Sequence, residues 1–160
     1  MTTPLVLDAC CGSRMFWKDK EDSRVLFVDK FPRQATLCDG RQFSVAPQVV
    51  ADFTDMPFSD NSFYTVIFDP PHLLRAGESS YMAIKYGKLE GNWEDMLTRA
   101  FSECFRVLKP GGNLIFKWCE YQIPLRDVLA LTPEKPLVCN KNPNGSGTHW
   151  IVFIKETQHD

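Results

Sequence analysis

The sequence predicts an α/β fold in which helices cover both faces of a mostly parallel sheet. Short apolar runs with the composition of buried strands recur along the 160 residues, and longer helical or polar segments separate them. Four of these runs end at or near an acid or a tight turn. Because ligands of open α/β sheets bind outside the carboxyl ends of the strands, we expect a site at that edge.

Seven strands are predicted, and their nearly continuous apolar content favours a parallel sheet that is buried on both faces. In chain order they are Leu5–Ala9, Val25–Val28, Val49–Ala51, Tyr64–Phe68, Asn113–Trp118, Leu137–Cys139 and Trp150–Ile154. The acids at the ends of the first four are Asp8, Asp29, Asp52 and Asp69.

One long helix is predicted over Trp93–Leu108, where apolar residues recur at helical spacing. Asn92 suits the N-cap position of this helix, and Pro110 cannot continue it. The turn Lys109-Pro110-Gly111-Gly112 is expected to introduce the fifth strand. A shorter helix is predicted over Pro124–Leu131.

Two segments lack a clear helical or strand pattern. Arg33–Pro47 is a poor helix candidate, because it contains an Asp39-Gly40 turn. Leu73–Asn92 is long, polar and rich in glycine, so we expect it to be a functional loop.

Composition indicates a single domain over residues 1–160 of an ordinary globular protein. The net charge of −2 gives no general attraction to nucleic acid, so any polyanion site must be local. Six cysteines occur without a C-x-x-C pair, which favours reduced thiols in a cytoplasmic protein over disulfides or a metal site. The sequence shows neither a signal peptide nor an apolar run long enough for a membrane.

The tetrapeptide Asp69-Pro70-Pro71-His72 follows the fourth predicted strand and is suited to bind an NH2 group. The prolines fix φ and remove two N–H donors, which leaves a carboxylate and carbonyls as acceptors. The flat ring of His72 suits stacking on the body that carries the amine. The alternative is a simple proline stop at the end of a strand.

A second group of residues suits a nucleoside cofactor. The turn Asp8-Ala9-Cys10-Cys11-Gly12 lets a ligand approach the backbone, with a helix N-terminus expected nearby. Asp29 follows Asp8 by twenty-one residues and suits a ribose diol, and Asp52 suits an adenine amine. Phe31 and Phe53 would flank the adenine, although each acid alone is equally well explained as a cap or turn former.

The main alternative interpretation of this turn is a binding site for a nicotinamide dinucleotide. Such a site needs glycines at G-x-G-x-x-G spacing, and the chain has one glycine there. Hydride transfer also leaves the Asp-Pro-Pro-His sequence unexplained.

With these motifs the chain resembles the class I S-adenosylmethionine-dependent methyltransferases, from Leu5 to Lys155. It looks most like the branch that methylates planar NH2 groups and carries an (Asp/Asn/Ser)-Pro-Pro-aromatic motif. Small stand-alone enzymes of bacteria and phages are the nearest likeness. The resemblance implies a Rossmann-like methyltransferase fold, with a seven-stranded sheet whose last strand, His149–Lys155, is antiparallel.

The resemblance also implies roles for residues. The turn from Asp8 through Gly12 would line the methionine moiety, Asp29 would bind the ribose, and Asp52 with Phe53 would meet the adenine. Together the expected cofactor contacts are Asp8, Ala9, Cys10, Gly12, Asp29, Lys30, Phe31, Asp52, Phe53 and Asp69. The expected catalytic residues, which hold the acceptor, are Asp69, Pro70 and His72.

The chain departs from the family pattern in four ways. The usual Gly-x-Gly is absent from the first turn, His72 replaces the commoner Tyr, Phe or Trp, the helix expected between the second and third strands is missing or degenerate, and no separate target-recognition domain is present. Arg14 suits the methionine carboxylate, and an exposed helix cation is an equally good interpretation. The expected substrate contacts, for which a solvated loop is the alternative, are Pro71, Arg75, Lys85, Lys88 and Lys141.

The favoured function is therefore methylation of an exocyclic nucleobase amine, with adenine first, in DNA or RNA. One alternative keeps the cofactor and changes the acceptor to a protein amide or a small molecule. Another is a non-catalytic S-adenosylmethionine-binding module that serves a partner protein. No metal and no membrane partner are expected, and the sequence leaves the oligomeric state open.

Overall fold

The computed structural model describes residues 3–77, 80–89, 91–141 and 147–157, without the side chains of residues 81, 82, 86 and 141. Nine strands and three helices occur within this part of the chain. The strands are β1 (Val6–Asp8), β2 (Val25–Asp29), β3 (Arg33–Thr36), β4 (Gln42–Val45), β5 (Val49–Val50), β6 (Phe63–Phe68), β7 (Leu108–Cys119), β8 (Val138–Lys141) and β9 (Thr148–Ile154). The helices are α1 (Tyr81–Tyr86), α2 (Trp93–Val107) and α3 (Leu125–Leu129).

Seven strands form one sheet in the order β5-β2-β1-β6-β7-β9-β8. The pairs β1–β2, β1–β6, β2–β5 and β6–β7 are parallel, and β9 runs antiparallel to both β7 and β8. The predicted seven-stranded, mostly parallel sheet with an antiparallel last strand is thus confirmed. This order brings the carboxyl ends of β5, β2, β1 and β6 side by side.

Helix α2 supplies one side of the main core. Its buried face, which includes Leu97, Phe101 and Phe105, packs against apolar residues of β6, β7 and β9. The side chain of Asn92 accepts a hydrogen bond from Asp95 N at 3.1 Å, which confirms the predicted N-cap. Leu125 and Val128 of α3 join the same cluster.

The opposite face of β1 and β2 is covered by an irregular segment, residues 9–24, in which no helix forms. Trp17 packs edge-on against Phe27 of β2 with ring centroids 5.6 Å apart. The helix expected after the first turn is therefore absent. Arg14 has a φ of 57°, donates to Lys20 O and Ala46 O, and lies over the Phe27 ring, so it joins loop segments together.

The two segments without a clear pattern contain regular structure. Within residues 33–47, β3 and β4 form an antiparallel hairpin, and Gly40 at its turn has a φ of 81°. Alternate side chains of this hairpin are buried, and Leu37, Phe43 and Val45 form a small separate core. Helix α1 lies in the expected loop and packs Ile84 against that core.

Strand β7 begins directly after α2, so the predicted Lys109–Gly112 turn lies inside the strand as an irregularity in its pairing with β6. Gly111 has a φ of 77°, which favours glycine. A Cβ at Gly112 would lie 2.8 Å from both Lys109 O and Tyr64 O, which is closer than a carbon atom approaches a carbonyl oxygen.

Replacing Gly112 with alanine is therefore expected to lower the free energy of unfolding by about 2 kcal/mol or more, because two backbone carbonyls must shift. Urea denaturation checks this value. Gly77→Ala is the matched control, since a Cβ there meets no atom within 4 Å. Equal stability of the two variants would contradict the packing described for Gly112.

None of the described helices has the length and apolar content that a bilayer crossing requires.

Candidate active site

A cavity of about 530 Å³ opens at the carboxyl edge of the sheet. It is lined by the acid that ends or follows each of β1, β2, β5 and β6, together with residues from the turn after β1 and from α1 and α2. Those acids are Asp8, Asp29, Asp52 and Asp69. Four segments that are distant in sequence thus place carboxyl groups around one space.

Asp8 ends β1 and is buried. Its Oδ2 accepts a 2.6 Å hydrogen bond from Trp17 Nε1, and its Oδ1 accepts a 3.3 Å bond from Cys10 N. Burial raises the pKa of Asp8 to about 7, and the charges of Asp69 and Asp29 act in the same direction. Asp8 therefore titrates near neutrality.

This titration makes a prediction about stability. A carboxyl group whose pKa rises on folding from its usual 3.8 to about 7 stabilises the fold at acidic pH, and that contribution is lost as the pH rises from 4 to 7. Asp8→Asn removes the group. As the pH rises from 4 to 7, the wild type should therefore lose stability relative to Asp8→Asn. Denaturation of both proteins at several pH values measures the difference in their free energies of unfolding. A pH-independent difference would contradict the buried state of Asp8.

Asp29 ends β2 and ties the first turn to that strand. Its Oδ2 accepts from Gly12 N and its Oδ1 from Phe31 N, each at 3.0 Å. Gly12 has a φ of 50°, a region that favours glycine, and open space lies where a Cβ would point. The turn thus presents bare backbone to the cavity beside a fixed carboxylate.

Asp52 pairs with Lys30, whose ammonium lies 2.7 Å from Oδ2. The other oxygen, Oδ1, accepts from Thr54 N at 2.9 Å and from Thr54 Oγ1 at 2.7 Å. Burial alone would raise the pKa of Asp52, but these hydrogen bonds and the Lys30 charge hold it below its usual value. Phe53 lines the cavity and packs edge-on against Phe68 at 5.3 Å.

Lys30 and Phe31 lie at the rim of the cavity. The Lys30 ammonium lies 5.2 Å from the centroid of the Phe31 ring, and that ring is exposed. Ala9 is fully enclosed by the core, whereas Cys10 lines the cavity. The expected cofactor residues other than Ala9 therefore all border this space.

Asp69 lies at the end of β6 and pairs with Lys117 of β7, whose Nζ is 3.2 Å from Oδ2. Burial raises the pKa of Asp69, while the Lys117 charge acts to lower it. Sequence analysis missed Lys117. The register of β6 and β7, in which Phe68 faces Phe116, is what places Lys117 beside Asp69.

The rest of the tetrapeptide divides between cavity and core. Pro71 lines the cavity, and Pro70 is buried behind it. The His72 ring is 8% exposed, packs edge-on against Trp118 at 6.3 Å, and is not among the residues that line the cavity. Burial and the Lys117 charge lower the pKa of His72, so its ring is neutral at pH 7. A stacking role for His72 would require this ring to move.

No protein-family profile and no curated protein matches the sequence. Comparison with solved structures is informative. A TehB-like S-adenosylmethionine-dependent methyltransferase from Corynebacterium glutamicum superimposes with a TM-score of 0.61 at 19% identity, over 98% of this chain and 82% of the other. The chain has a class I methyltransferase fold.

Two further structures agree in overall shape. An S-adenosylmethionine-dependent methyltransferase from Methanosarcina mazei gives a TM-score of 0.58 at 13% identity, over 99% of this chain and 95% of the other. A protein from Pyrococcus horikoshii gives 0.62 at 18% identity, over 94% and 81%.

Of the residues predicted to contact the substrate, some line the cavity and others do not. Lys85 and Lys88 line the cavity, and Lys88 Nζ donates to Ala76 O at 3.4 Å. Arg75 is exposed and lies outside the cavity lining, where its backbone is held by Gln122. The side chain of Lys141 and the following residues 142–146 lie outside the described part of the chain.

Sequence analysis missed a set of cavity residues from the first loop and from α2. Phe16 lines the cavity and packs against Trp150 with ring centroids 4.8 Å apart. The others are the N-cap residue Asn92 and three residues of α2, Asp95, Met96 and Arg99.

Cys10 and Cys11, the adjacent cysteines after β1, are not activated nucleophiles. Burial raises the pKa of Cys11 to about 12 and that of Cys10 well above its usual value, so both thiols stay protonated at neutral pH. Among the described residues, no group of histidines, cysteines and acids is suited to hold a metal ion.

Proposed function

We propose that the protein is an S-adenosylmethionine-dependent methyltransferase that methylates an exocyclic nucleobase amine, with adenine favoured, in DNA or RNA. The observation that carries this proposal is the shared cavity. Asp29 and Asp52 border it on one side, and Asp69 with Pro71 borders it on the other. A methyl donor and a planar amine can therefore meet in one cavity.

The residues on the donor side fit the cofactor. The Asp29 carboxylate, held at the end of β2 by two backbone N–H groups, suits both hydroxyls of a ribose. Asp52 stays ionised and suits an adenine amine, for which Lys30 would have to share the carboxylate. Gly12 leaves room for close backbone approach at the methionine end. When bound, the cofactor supplies a methyl group on a sulfonium, which is already electrophilic.

On the acceptor side, the chain orients the amine. The Asp69 carboxylate and the Pro70 carbonyl are suited to accept the two hydrogens of an NH2 group. Such bonds favour a pyramidal nitrogen whose lone pair points at the methyl carbon, so most of the gain comes from orientation and fixed dipoles. In the transfer, the nitrogen would bond to the methyl carbon as the bond from that carbon to the sulfonium sulfur broke, and the Asp69 carboxylate would accept the proton that the nitrogen releases.

A nucleic acid acceptor is supported by the surface beside β6 and β7. Gln122 accepts from Leu74 N at 2.7 Å and Arg75 N at 3.0 Å, and it donates to Arg75 O at 2.9 Å. Tyr121 directly precedes Gln122 in the chain and is 82% exposed. An exposed aromatic ring and a cation on neighbouring segments suit an unpaired base and its phosphate.

The net charge of −2 favours a single-stranded or structured target over tracking along duplex DNA. A duplex target would have to release its base from the stack before the base could reach Asp69 in the cavity.

Transfer of a labelled methyl group from S-adenosylmethionine to separated DNA, RNA, protein and metabolite pools tests the proposal. We expect label in nucleic acid, recovered as an N-methylated base after digestion. Label in protein or metabolites alone would show a different acceptor. Tight cofactor binding without label in any pool would show a non-catalytic module.

A further inference from the structure

Asp69 lines the cavity and pairs with Lys117, which is not among the lining residues. Lys117 approaches Asp69 from the neighbouring strand, and both side chains are about three-quarters buried or more. The Lys117 ammonium also lies 5.7 Å from the ring centroid of Trp150. The Lys117 ammonium thus contacts both the Asp69 carboxylate and the Trp150 ring.

The fold itself has little need of this charge. A partly buried ion pair contributes little net stability, because desolvation of both ions offsets their attraction. Lys117 shares its side of β7 with Ile115 and faces Trp150 of β9, so an apolar residue would fit the same position. Lys117 nevertheless carries a charge here, beside a carboxylate that lines a cavity. This favours a role for the charge in the reaction within the cavity.

The hydrogen bond from Lys117 engages one oxygen of Asp69. Among the described contacts of Asp69, those of the side chain involve Oδ2, which leaves Oδ1 for a ligand. We propose that Lys117 is a positioning residue of the transfer step, which keeps Asp69 ionised through Oδ2 and so leaves Oδ1 as an acceptor for the incoming amine. This inference rests on the proposed function.

The surroundings of Asp69 explain why it needs a cation. Burial disfavours its carboxylate, and the charge and the hydrogen bond of Lys117 oppose that effect. A protonated Asp69 would present an O–H donor and a weaker acceptor to the amine. The charged or titratable groups around it are Asp8, Asp29, Cys10, His72, Lys85 and Lys117.

The test compares Lys117→Met with Lys117→Arg. Methionine keeps an unbranched stem without the charge, so the pKa of Asp69 should rise and the acidic limb of the transfer rate should move to higher pH by at least about one unit. Below that raised midpoint the rate should fall about tenfold for each unit of pH, and it should recover as the pH is raised. Arginine should keep the wild-type midpoint of that limb, and Lys109→Met at the other end of β7 is the matched control.

A carbon-13 NMR titration of the Asp69 carboxyl group provides a readout that does not depend on transfer. The expected result is a higher midpoint in Lys117→Met than in the wild type and in Lys117→Arg. Equal midpoints in all three proteins would overturn the inference, as would an unmoved acidic limb. Lys117→Gln replaces the methionine variant if that variant does not fold.

The two proposals can fail separately. If the wild-type protein methylates no acceptor, the proposed function fails while the titration still decides whether Lys117 controls the ionisation of Asp69. If transfer occurs and the midpoints are equal, the function stands and the role of Lys117 is wrong.

Discussion

Asp69→Ala is expected to reduce methyl transfer at least about 100-fold while the dissociation constant for S-adenosylmethionine changes by less than about threefold. Asp69 lines the cavity on the acceptor side, so its loss removes the carboxylate that orients the amine. The ribose and adenine contacts expected at Asp29 and Asp52 stay in place. Single-turnover transfer and calorimetric titration of the cofactor measure the two quantities.

Asp69→Asn is the matched variant, because an amide keeps one acceptor oxygen and the shape of the side chain. It should transfer more slowly than the wild type and faster than Asp69→Ala, since the neutral amide can still bind one hydrogen of the amine but is a weaker acceptor than a carboxylate. If Asp69→Ala weakens cofactor binding as much as it slows transfer, Asp69 belongs to the donor side and the assignment of the two sides is wrong.

Asp29→Ala is expected to weaken S-adenosylmethionine binding at least about 100-fold. The substitution removes the acceptor for the ribose and also releases Gly12 N, which Asp29 holds at 3.0 Å. Hydrogen bonds to a charged group contribute about 1.5–3 kcal/mol each, so the loss of two gives at least this change in affinity. Equilibrium dialysis with labelled cofactor measures the effect.

Asp127→Ala is a suitable control for Asp29→Ala, because Asp127 lies on α3 and its side chain is half-exposed. It should bind the cofactor as the wild type does. Thermal unfolding should confirm that Asp29→Ala remains folded. If Asp29→Ala bound the cofactor within threefold of the wild type, the assignment of the ribose to the end of β2 would be wrong.

The mostly parallel sheet and the convergence of four acids could be predicted because the signals lie in local sequence. Apolar runs mark where strands end, and parallel strands bring their carboxyl ends to one edge. The capping of α2 by Asn92 is equally local, since the cap and its partner are three residues apart. The fold comparison confirms the sheet, and the roles of individual acids stay predictions.

The features that sequence analysis missed depend on contacts between distant segments. Lys117 looks like an ordinary strand residue until the register with β6 brings it to Asp69. The stacking role expected for His72 stays a prediction, and the contact of its ring with Trp118 of β7 could not be read from local sequence. The β3–β4 hairpin has few apolar residues, and its small core is completed by Ile84 from α1.

A crystal structure with S-adenosylhomocysteine would test the central claim most directly. We predict that the ribose hydroxyls contact Asp29, that the adenine amine lies beside Asp52, and that the sulfur faces the side of the cavity formed by Asp69 and Pro71. The ligand at another place on the protein, or in this cavity with its sulfur turned away from Asp69, would contradict the account.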